Sequence, residues 1–239
     1  MKLIRAIIII AVFLTLISGG VFLVYKIGLG QNQKGLSKNV LIDIPAAEIP
    51  KEYIENPEVI KALKKTREDQ VEVSILAVGD IMLSRSVETL MKNKNNWSLP
   101  FEKIKEITSS ADIAFGNLET SIFPGRQIQT GEFAFRVDPQ AIHGLLSAGF
   151  DVLSLANNHT PNFGEKGLIN TFDVLKDNNI KYVGAGKNKA EASLPVIIEK
   201  NGLKFGFLAY SYSLYVSPSY FAKENFAGIN PMEPEGKRK

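Results

Sequence analysis

Three apolar segments of the chain end in polar side chains of the kinds that bind metal ions or move protons. These segments are residues 75–79, 113–116 and 152–156. The side chains that follow them are Asp80, Asn117, Glu119, Asn157, Asn158 and His159. Carboxylate, amide oxygen and imidazole together form the ligand set of a divalent cation such as Mn²⁺, Fe²⁺ or Zn²⁺.

These side chains meet only if the three segments are neighbouring parallel strands. The carboxyl ends of parallel strands share one edge of a sheet, and ligands bind in the crevice there. The sequence therefore predicts a polar site that holds a divalent metal. Gly79 and Gly116 are interpreted as positions where the backbone passes close to the ligand.

Each of these residues also has a purely structural interpretation. Asp80 could cap a following helix, because an aspartate oxygen accepts from the first free amides of a helix. Asn157 and Asn158 could form a turn, since asparagine tolerates left-handed backbone angles. His159 could be a loop histidine with its hydrogen bonds satisfied.

Strand and helix patterns alternate along the chain and predict the elements that would position these residues. Strands are expected at residues 71–78, 112–115, 151–156 and 181–183, and helices at 84–93, 100–108, 139–148 and 165–178. Residues 194–199 and 203–210 indicate a hairpin across Asn201-Gly202, a favoured two-residue turn. Residues 226–239 are expected to be loosely structured. The alternation predicts an α/β fold with a mostly parallel sheet flanked by helices.

The N-terminus has the pattern of a membrane anchor. Residues 6–25 carry no charge, and about 20 residues of helix cross a bilayer. Lys2 and Arg5 precede this run, so the N-terminus is expected in the cytoplasm and the domain outside the cell membrane. The alternatives are a buried core helix and cleavage near Ser18. The predicted organisation is a transmembrane signal anchor at 1–30, a stalk with a short helix at 31–70 and a domain at 71–239.

Composition excludes several classes of protein. The net charge of +3 comes from the first 70 residues, whereas residues 71–230 carry nearly equal numbers of basic and acidic side chains. A nucleic-acid partner is therefore not expected, because binding to a phosphate backbone needs a basic surplus. The chain has no cysteine, which excludes a disulfide framework and a thiolate metal site.

Three motifs resemble the N-terminal signatures of the CapA-type capsule-synthesis proteins. They are AVGDIML at residues 77–83, GNLET at 116–120 and LANNH at 155–159. The order of the motifs and their spacing also resemble the family. A further similarity is Gly184-Ala185-Gly186, which follows a predicted strand.

The resemblance implies a four-layer αββα fold of the calcineurin-like metallophosphoesterase type. It also implies a role in making or exporting poly-γ-glutamate or a related anionic capsule polymer. The implied metal ligands are Asp80, Asn117, Glu119, Asn158 and His159. In phosphoesterases the paired asparagine and histidine, here Asn158 and His159, also help to stabilise the reacting group, which makes them the candidate catalytic residues.

The chain departs from the family pattern in two ways. Asn162 stands where the family often has an aspartate, which would remove a carboxylate that orients His159. Family members also usually continue into segments with further histidines, whereas this chain has only His143 and His159. His143 is interpreted as a surface or packing residue.

Two functional hypotheses follow. One is a membrane-anchored, metal-dependent hydrolase-like protein of capsule biosynthesis, and the expected truncation of the domain at its C-terminus counts against it. The other is a non-catalytic extracytoplasmic scaffold that binds the polymer or the subunits of an export complex.

Overall fold

The computed structural model describes residues 26–29, 71–212, 214 and 216–232. The predicted membrane span at 6–25 and the stalk at 31–70 lie outside the described residues. Within the described ranges, no helix has both the length and the apolar character needed to cross a membrane. The described residues belong to two compact units, Lys26–Val73 and the residues from Ser74 onward.

The structure is built from short strands and helices that alternate along the chain. The strands are β1 (Lys26–Leu29), β2 (Val71–Ile81), β3 (Ile113–Leu118), β4 (Ser121–Ile122), β5 (Arg136–Val137), β6 (Val152–Ser154), β7 (Lys181–Val183), β8 (Ala185–Gly186), β9 (Val196–Lys200), β10 (Leu203–Phe207), β11 (Ser211–Tyr212), β12 (Gly228–Ile229) and β13 (Pro231–Met232). The α-helices are α1 (Ser86–Asn93), α2 (Lys105–Ser110), α3 (Ile142–Ser147), α4 (Gly164–Asp177) and α5 (Lys189–Ala192). Short 3-10 helices cover Leu99–Phe101, Pro139–Ala141, Thr160–Phe163 and Pro218–Tyr220.

Strands β2, β3, β6 and β7 lie side by side in a parallel sheet. Their inward side chains are aliphatic and fully buried, among them Leu118 and Leu153. Helix α4 contributes Leu168, Phe172 and Leu175 to the same core. The prediction of an α/β fold with a parallel sheet flanked by helices is confirmed.

Strand β2 is longer than the sequence pattern predicts. It continues past residue 78 to Ile81, with a register shift between Ala77 and Asp80. Asp80 therefore lies inside the strand, directly opposite Asn117 of β3. The irregularity lets β2 pair with β3 again beyond Gly79, so the last residues of both strands face one another across the ladder.

The β9–β10 hairpin forms where it was predicted. Leu203 pairs with Lys200 in an antiparallel register, and the two turn residues have positive φ angles, 50° at Asn201 and 78° at Gly202. These angles are those of the turn that matches the twist of hairpin strands.

The expectation of loose structure from residue 226 onward is wrong for its first part. Strand β12 pairs with β8, and β13 pairs with β11. Ala227 and Ile229 are buried. The segment has no period that a local pattern would reveal, because its strands are only two residues long and pair with distant residues. Residues 233–239 lie outside the described residues.

Candidate functional site

The ends of β2 and β3 bring two carboxylates to one amide. The Nδ2 atom of Asn117 donates to Asp80 Oδ1 at 2.8 Å and to Glu119 Oε1 at 3.4 Å. Asp80 is exposed, and the side chains of Asn117 and Glu119 are half-buried. The predicted convergence of these three residues is therefore present, and it arises from the pairing of Asp80 with Asn117.

Burial and charge change the acidity of this group. The pKa of Glu119 is raised from 4.5 to about 7. The larger cause is removal of the carboxyl group from water, and the second is repulsion by the neighbouring Asp80 carboxylate. The hydrogen bond from Asn117 acts in the opposite direction. A carboxyl group that titrates near neutrality beside a second carboxylate is typical of a proton-transfer or cation-binding site.

Asn157 holds the third segment against the first two. Its Nδ2 atom donates to Asn117 Oδ1 at 3.0 Å and to the Leu118 carbonyl at 2.9 Å. Its Oδ1 atom accepts from the backbone amides of His159 at 3.0 Å and Thr160 at 2.8 Å. Asn157 is only 5% exposed, so each of these bonds is made away from water.

The bond from the His159 amide to Asn157 is the asparagine turn that the sequence offered as an alternative. Asn158, the residue taken as the candidate ligand, is exposed. Sequence reasoning missed that Asn157 is the asparagine that reaches the second motif. The signal that could have found it is the position of Asn157 directly after the buried strand, where a polar side chain must find partners inside the protein.

His159 is oriented by Asn162 and Phe135. Its Nδ1 atom lies 3.1 Å from Asn162 Oδ1, and its ring stacks on Phe135 with 4.0 Å between ring centroids. The same Asn162 oxygen accepts from the Phe135 amide at 2.9 Å. Because this oxygen is an acceptor, Nδ1 donates to it, and in a neutral ring the lone pair is then on Nε2.

The carboxylate is absent at position 162, and the amide oxygen of Asn162 contacts His159 in its place. An amide oxygen can fix a histidine tautomer by accepting from Nδ1 as a carboxylate does, although it brings no negative charge. Asn162 is itself held in place, since its Nδ2 atom donates to the Asn158 carbonyl at 3.2 Å. His143 lies exposed on α3, in agreement with its interpretation as a surface residue.

Packing accounts for Gly116, whereas the expected role of Gly79 beside a ligand stays a prediction. A Cβ atom at Gly116 would lie 2.6 Å from Ile81 Cδ1 and 3.0 Å from Val78 Cγ2, so this glycine is required by packing between β3 and β2. A Cβ atom at Gly79 would meet nothing within 4 Å. Neither position provides evidence of a ligand.

The donor set suits a cation that keeps several water ligands. Among the residues that the structure describes, no three His, Asp or Glu side chains are grouped closely enough to share a metal ion. Asp80 and Glu119 nevertheless form a pair of adjacent carboxylates whose repulsion a cation would relieve. Hard divalent cations are commonly held by one or two carboxylates together with water.

A second polar network lies beside the site and is structural. The Arg136 guanidinium donates to Glu88 Oε1 at 3.2 Å and to the Phe123 carbonyl at 2.9 Å. Glu88 also contacts Lys92 Nζ at 2.9 Å and accepts from the Asp138 amide at 3.0 Å. Glu88 and Arg136 are almost completely buried. This network fixes α1 to β5.

The known proteins that this chain resembles are described as capsule or PGA biosynthesis proteins. The sequence profile of the bacterial capsule synthesis protein PGA_cap matches residues 74–237. The PGA biosynthesis protein CapA of Bacillus subtilis (strain 168) is 28% identical over 214 residues, which cover 86% of this chain and 54% of the relative. The capsule biosynthesis protein CapA of Bacillus anthracis is 25% identical over 187 residues, covering 77% of this chain and 44% of the relative.

A mycobacterial relative has a related description. The probable polyglutamine synthesis accessory protein Rv0574c of Mycobacterium tuberculosis is 28% identical over 130 residues, which cover 51% of this chain and 33% of the relative. The chain thus spans about half the length, or less, of the curated relatives that it matches. The family match covers most of the unit that carries the site and confirms the resemblance of the three motifs. The chain belongs to the bacterial capsule synthesis protein family.

Proposed function

We propose that this protein acts in the synthesis or export of poly-γ-glutamate or a related anionic capsule polymer, through a divalent-metal site at the ends of β2 and β3. The observation that carries the proposal is the pair of carboxylates, Asp80 and Glu119, that share the amide of Asn117. Family membership and the names of the relatives support the polymer.

Asp80 and Glu119 would hold the metal, and water molecules would complete its coordination. Mn²⁺, Fe²⁺ and Zn²⁺ all accept this combination of ligands. Such an ion supplies a Lewis acid and lowers the pKa of a bound water. The fold proposed around it is the four-layer metallophosphoesterase arrangement, in which the β9–β10 hairpin belongs to the second sheet.

The chain's own residues would bind and orient the substrate and move a proton. His159 exposes one ring nitrogen for proton transfer, because Asn162 occupies the other. Asn117 keeps the two carboxylates in place. Asn158 is exposed beside His159 and would donate to the reacting phosphoryl, acyl or amide group, stabilising charge that develops there.

The test is production of surface polymer by cells that depend on this chain. Wild-type protein, Asp80→Ala and Glu119→Gln are expressed to equal levels in a strain that lacks its own capsule synthesis protein of this family. The proposal expects polymer with the wild type and little or none with either variant. The control is Asp173→Asn, which removes an exposed carboxylate from α4. Normal polymer with both site variants would refute the metal-site function.

The proposal places the protein on the outer side of the cell membrane, held by a single span at residues 6–25. It rests on the uncharged run and on the basic residues before it. An extracytoplasmic position suits an activity on a polymer that leaves the cell.

A second candidate function is non-catalytic binding of the polymer or of an export complex. The observation in its favour is that the described residues contain no group of three acidic or histidine ligands. Metal dependence separates the two candidates. Normal polymer production by Asp80→Ala would favour the scaffold, whereas loss of production in that variant would favour the metal site.

A further inference from the structure

A cavity of about 190 Å³ lies between helix α1 and the loop at residues 127–130, and Leu90 and Ile128 make part of its lining apolar. Its polar lining includes Arg85, Ser86, Thr89, Gln127, Gln129 and Thr130, and no lining residue is acidic. Because a water molecule occupies about 30 Å³ of liquid, the cavity can hold several waters or one small polar group. The polar part of its lining therefore consists of one cation and several neutral hydrogen-bonding groups.

The positive charge at this cavity exceeds the negative charge that faces it. Among the described residues, Glu132 is the one carboxylate with a recorded electrostatic interaction with Arg85. The two terminal nitrogens of Arg126 already donate hydrogen bonds to this carboxylate, at 2.8 and 2.6 Å. Arg85 donates instead to the backbone carbonyl of Glu132. Two guanidinium groups therefore share one carboxylate, which leaves one positive charge unmatched.

The Arg85 side chain has an unmet hydrogen bond. Its Nε atom is buried and has no acceptor among the described residues. Its guanidinium lies 4.5 Å from the centre of the Phe135 ring and 5.7 Å from that of Phe133. A buried donor without an acceptor is costly, and a planar carboxylate is the acceptor that fits a guanidinium best.

The backbone at Arg85 is also in a conformation that residues with side chains rarely adopt, with φ 58° and ψ −128°. Such strain is concentrated at ligand clamps and active sites, where the surrounding structure maintains it. The cavity adjoins the candidate site, because Phe135 contacts both Arg85 and His159. A ligand held by Arg85 would therefore lie next to the proposed reacting group.

We propose that this cavity binds the carboxylate of one glutamyl unit of an anionic polymer, with Arg85 as its ionic partner. Thr89, Gln127 and Gln129 offer hydroxyl and amide groups to the rest of the unit. The single unmatched positive charge suits a carboxylate, which carries one negative charge, better than a phosphate, which carries up to two near neutral pH. The identification of the unit as glutamyl rests on the proposed function, whereas the binding of a carboxylate rests on the cavity.

The test is calorimetric titration of the full chain, in detergent and with EDTA, with a short oligo-γ-glutamate. Replacing Arg85 with glycine removes the guanidinium and relieves the backbone strain, so R85G is expected to fold and to bind at least about tenfold more weakly. R85K keeps the charge but loses the planar fork, and is expected to bind with intermediate affinity. Lys204→Gln, which removes an exposed cation from the hairpin, is the matched control and should bind like the wild type.

Three results would overturn the assignment. They are unchanged affinity in both Arg85 variants, equal binding of a neutral oligo-γ-glutamine, and tighter binding of inorganic phosphate than of the oligomer. Polymer production by Asp80→Ala tests the metal site separately from this titration, which is done in EDTA. A wrong metal-site proposal would appear as normal polymer from Asp80→Ala, and a wrong cavity assignment as unchanged oligomer binding by R85G and R85K.

Discussion

Asn157 is the residue on which the geometry of the site most depends. Its buried amide bonds to Asn117, to the Leu118 carbonyl and to the two amides that follow Asn158. Asn157→Ala should lower the free energy of unfolding by at least about 2 kcal/mol, since it leaves several buried groups without partners. Urea unfolding of the variant and the wild type measures this difference in the free energy of unfolding.

The neighbouring asparagine provides the matched control for this change. Asn158 is exposed, so Asn158→Ala should alter stability by less than about 0.5 kcal/mol. Equal stability losses in the two variants would contradict the role assigned to Asn157.

Glu119 should make stability depend on pH. Its pKa in the folded protein is about 7, against 4.5 as the ordinary value. Between these values the folded protein retains a proton that the unfolded chain releases, so stability falls as pH rises from about 4.5 to about 7 and is constant above that. The loss is about 1–2 kcal/mol once partial exposure is taken into account.

The measurement is urea unfolding at pH 5 and pH 8 in the presence of EDTA. Glu119→Gln cannot ionise and should remove this part of the pH dependence. A variant with the same pH dependence as the wild type would show that Glu119 keeps its ordinary pKa.

At the level of single residues, the sequence predicted that Asp80, Asn117 and Glu119 converge, but not how the third segment is bonded to them. Asp80 and Asn117 could be placed together because strand ends align in a parallel sheet. The stack of His159 on Phe135 and its contact with Asn162 could not be predicted. Phe135 comes from a loop whose position depends on tertiary packing, and no local pattern encodes it.

Helix α1 is joined to the rest of the unit by a buried ion pair. Arg136 and Glu88 are 1% and 0% exposed at their side chains. Glu88→Gln should reduce the free energy of unfolding by about 3–5 kcal/mol, because the Arg136 charge would remain buried without its counter-charge. Urea unfolding near neutral pH measures the loss.

An exposed ion pair on the hairpin provides the control for this substitution in the buried pair. Glu199 and Lys204 face one another across the hairpin at 3.9 Å, and both side chains are about 60% exposed. Glu199→Gln should change stability by no more than about 1 kcal/mol. If both substitutions had small effects, the buried pair would not be what fixes α1.

The long periodic elements were predictable and the two-residue strands were not. Helix α4 matches its predicted range closely, because its pattern extends over 14 residues. Strand β4 pairs with β5, where Ser121 faces Arg136. A two-residue strand has no period of its own, and its existence depends on a partner that is distant in sequence.

The whole chain should behave as a protein of the membrane surface. The proposed span at 6–25 predicts that it stays with membranes after alkaline carbonate extraction. Protease added to intact spheroplasts should digest the domain while a cytoplasmic marker survives. Recovery of the intact chain in the soluble fraction, or protection from protease until lysis, would contradict the proposed topology.

The central claim is that Asp80 and Glu119 form a divalent-cation site, and Mn²⁺ binding tests it most directly. Titration of the full chain, followed by electron paramagnetic resonance, should reveal one bound ion in the wild type. Binding should be lost in Asp80→Ala, weakened in Glu119→Gln and unchanged in Asp173→Asn. Equal Mn²⁺ binding by the wild type and Asp80→Ala, or no binding by either, would contradict the claim.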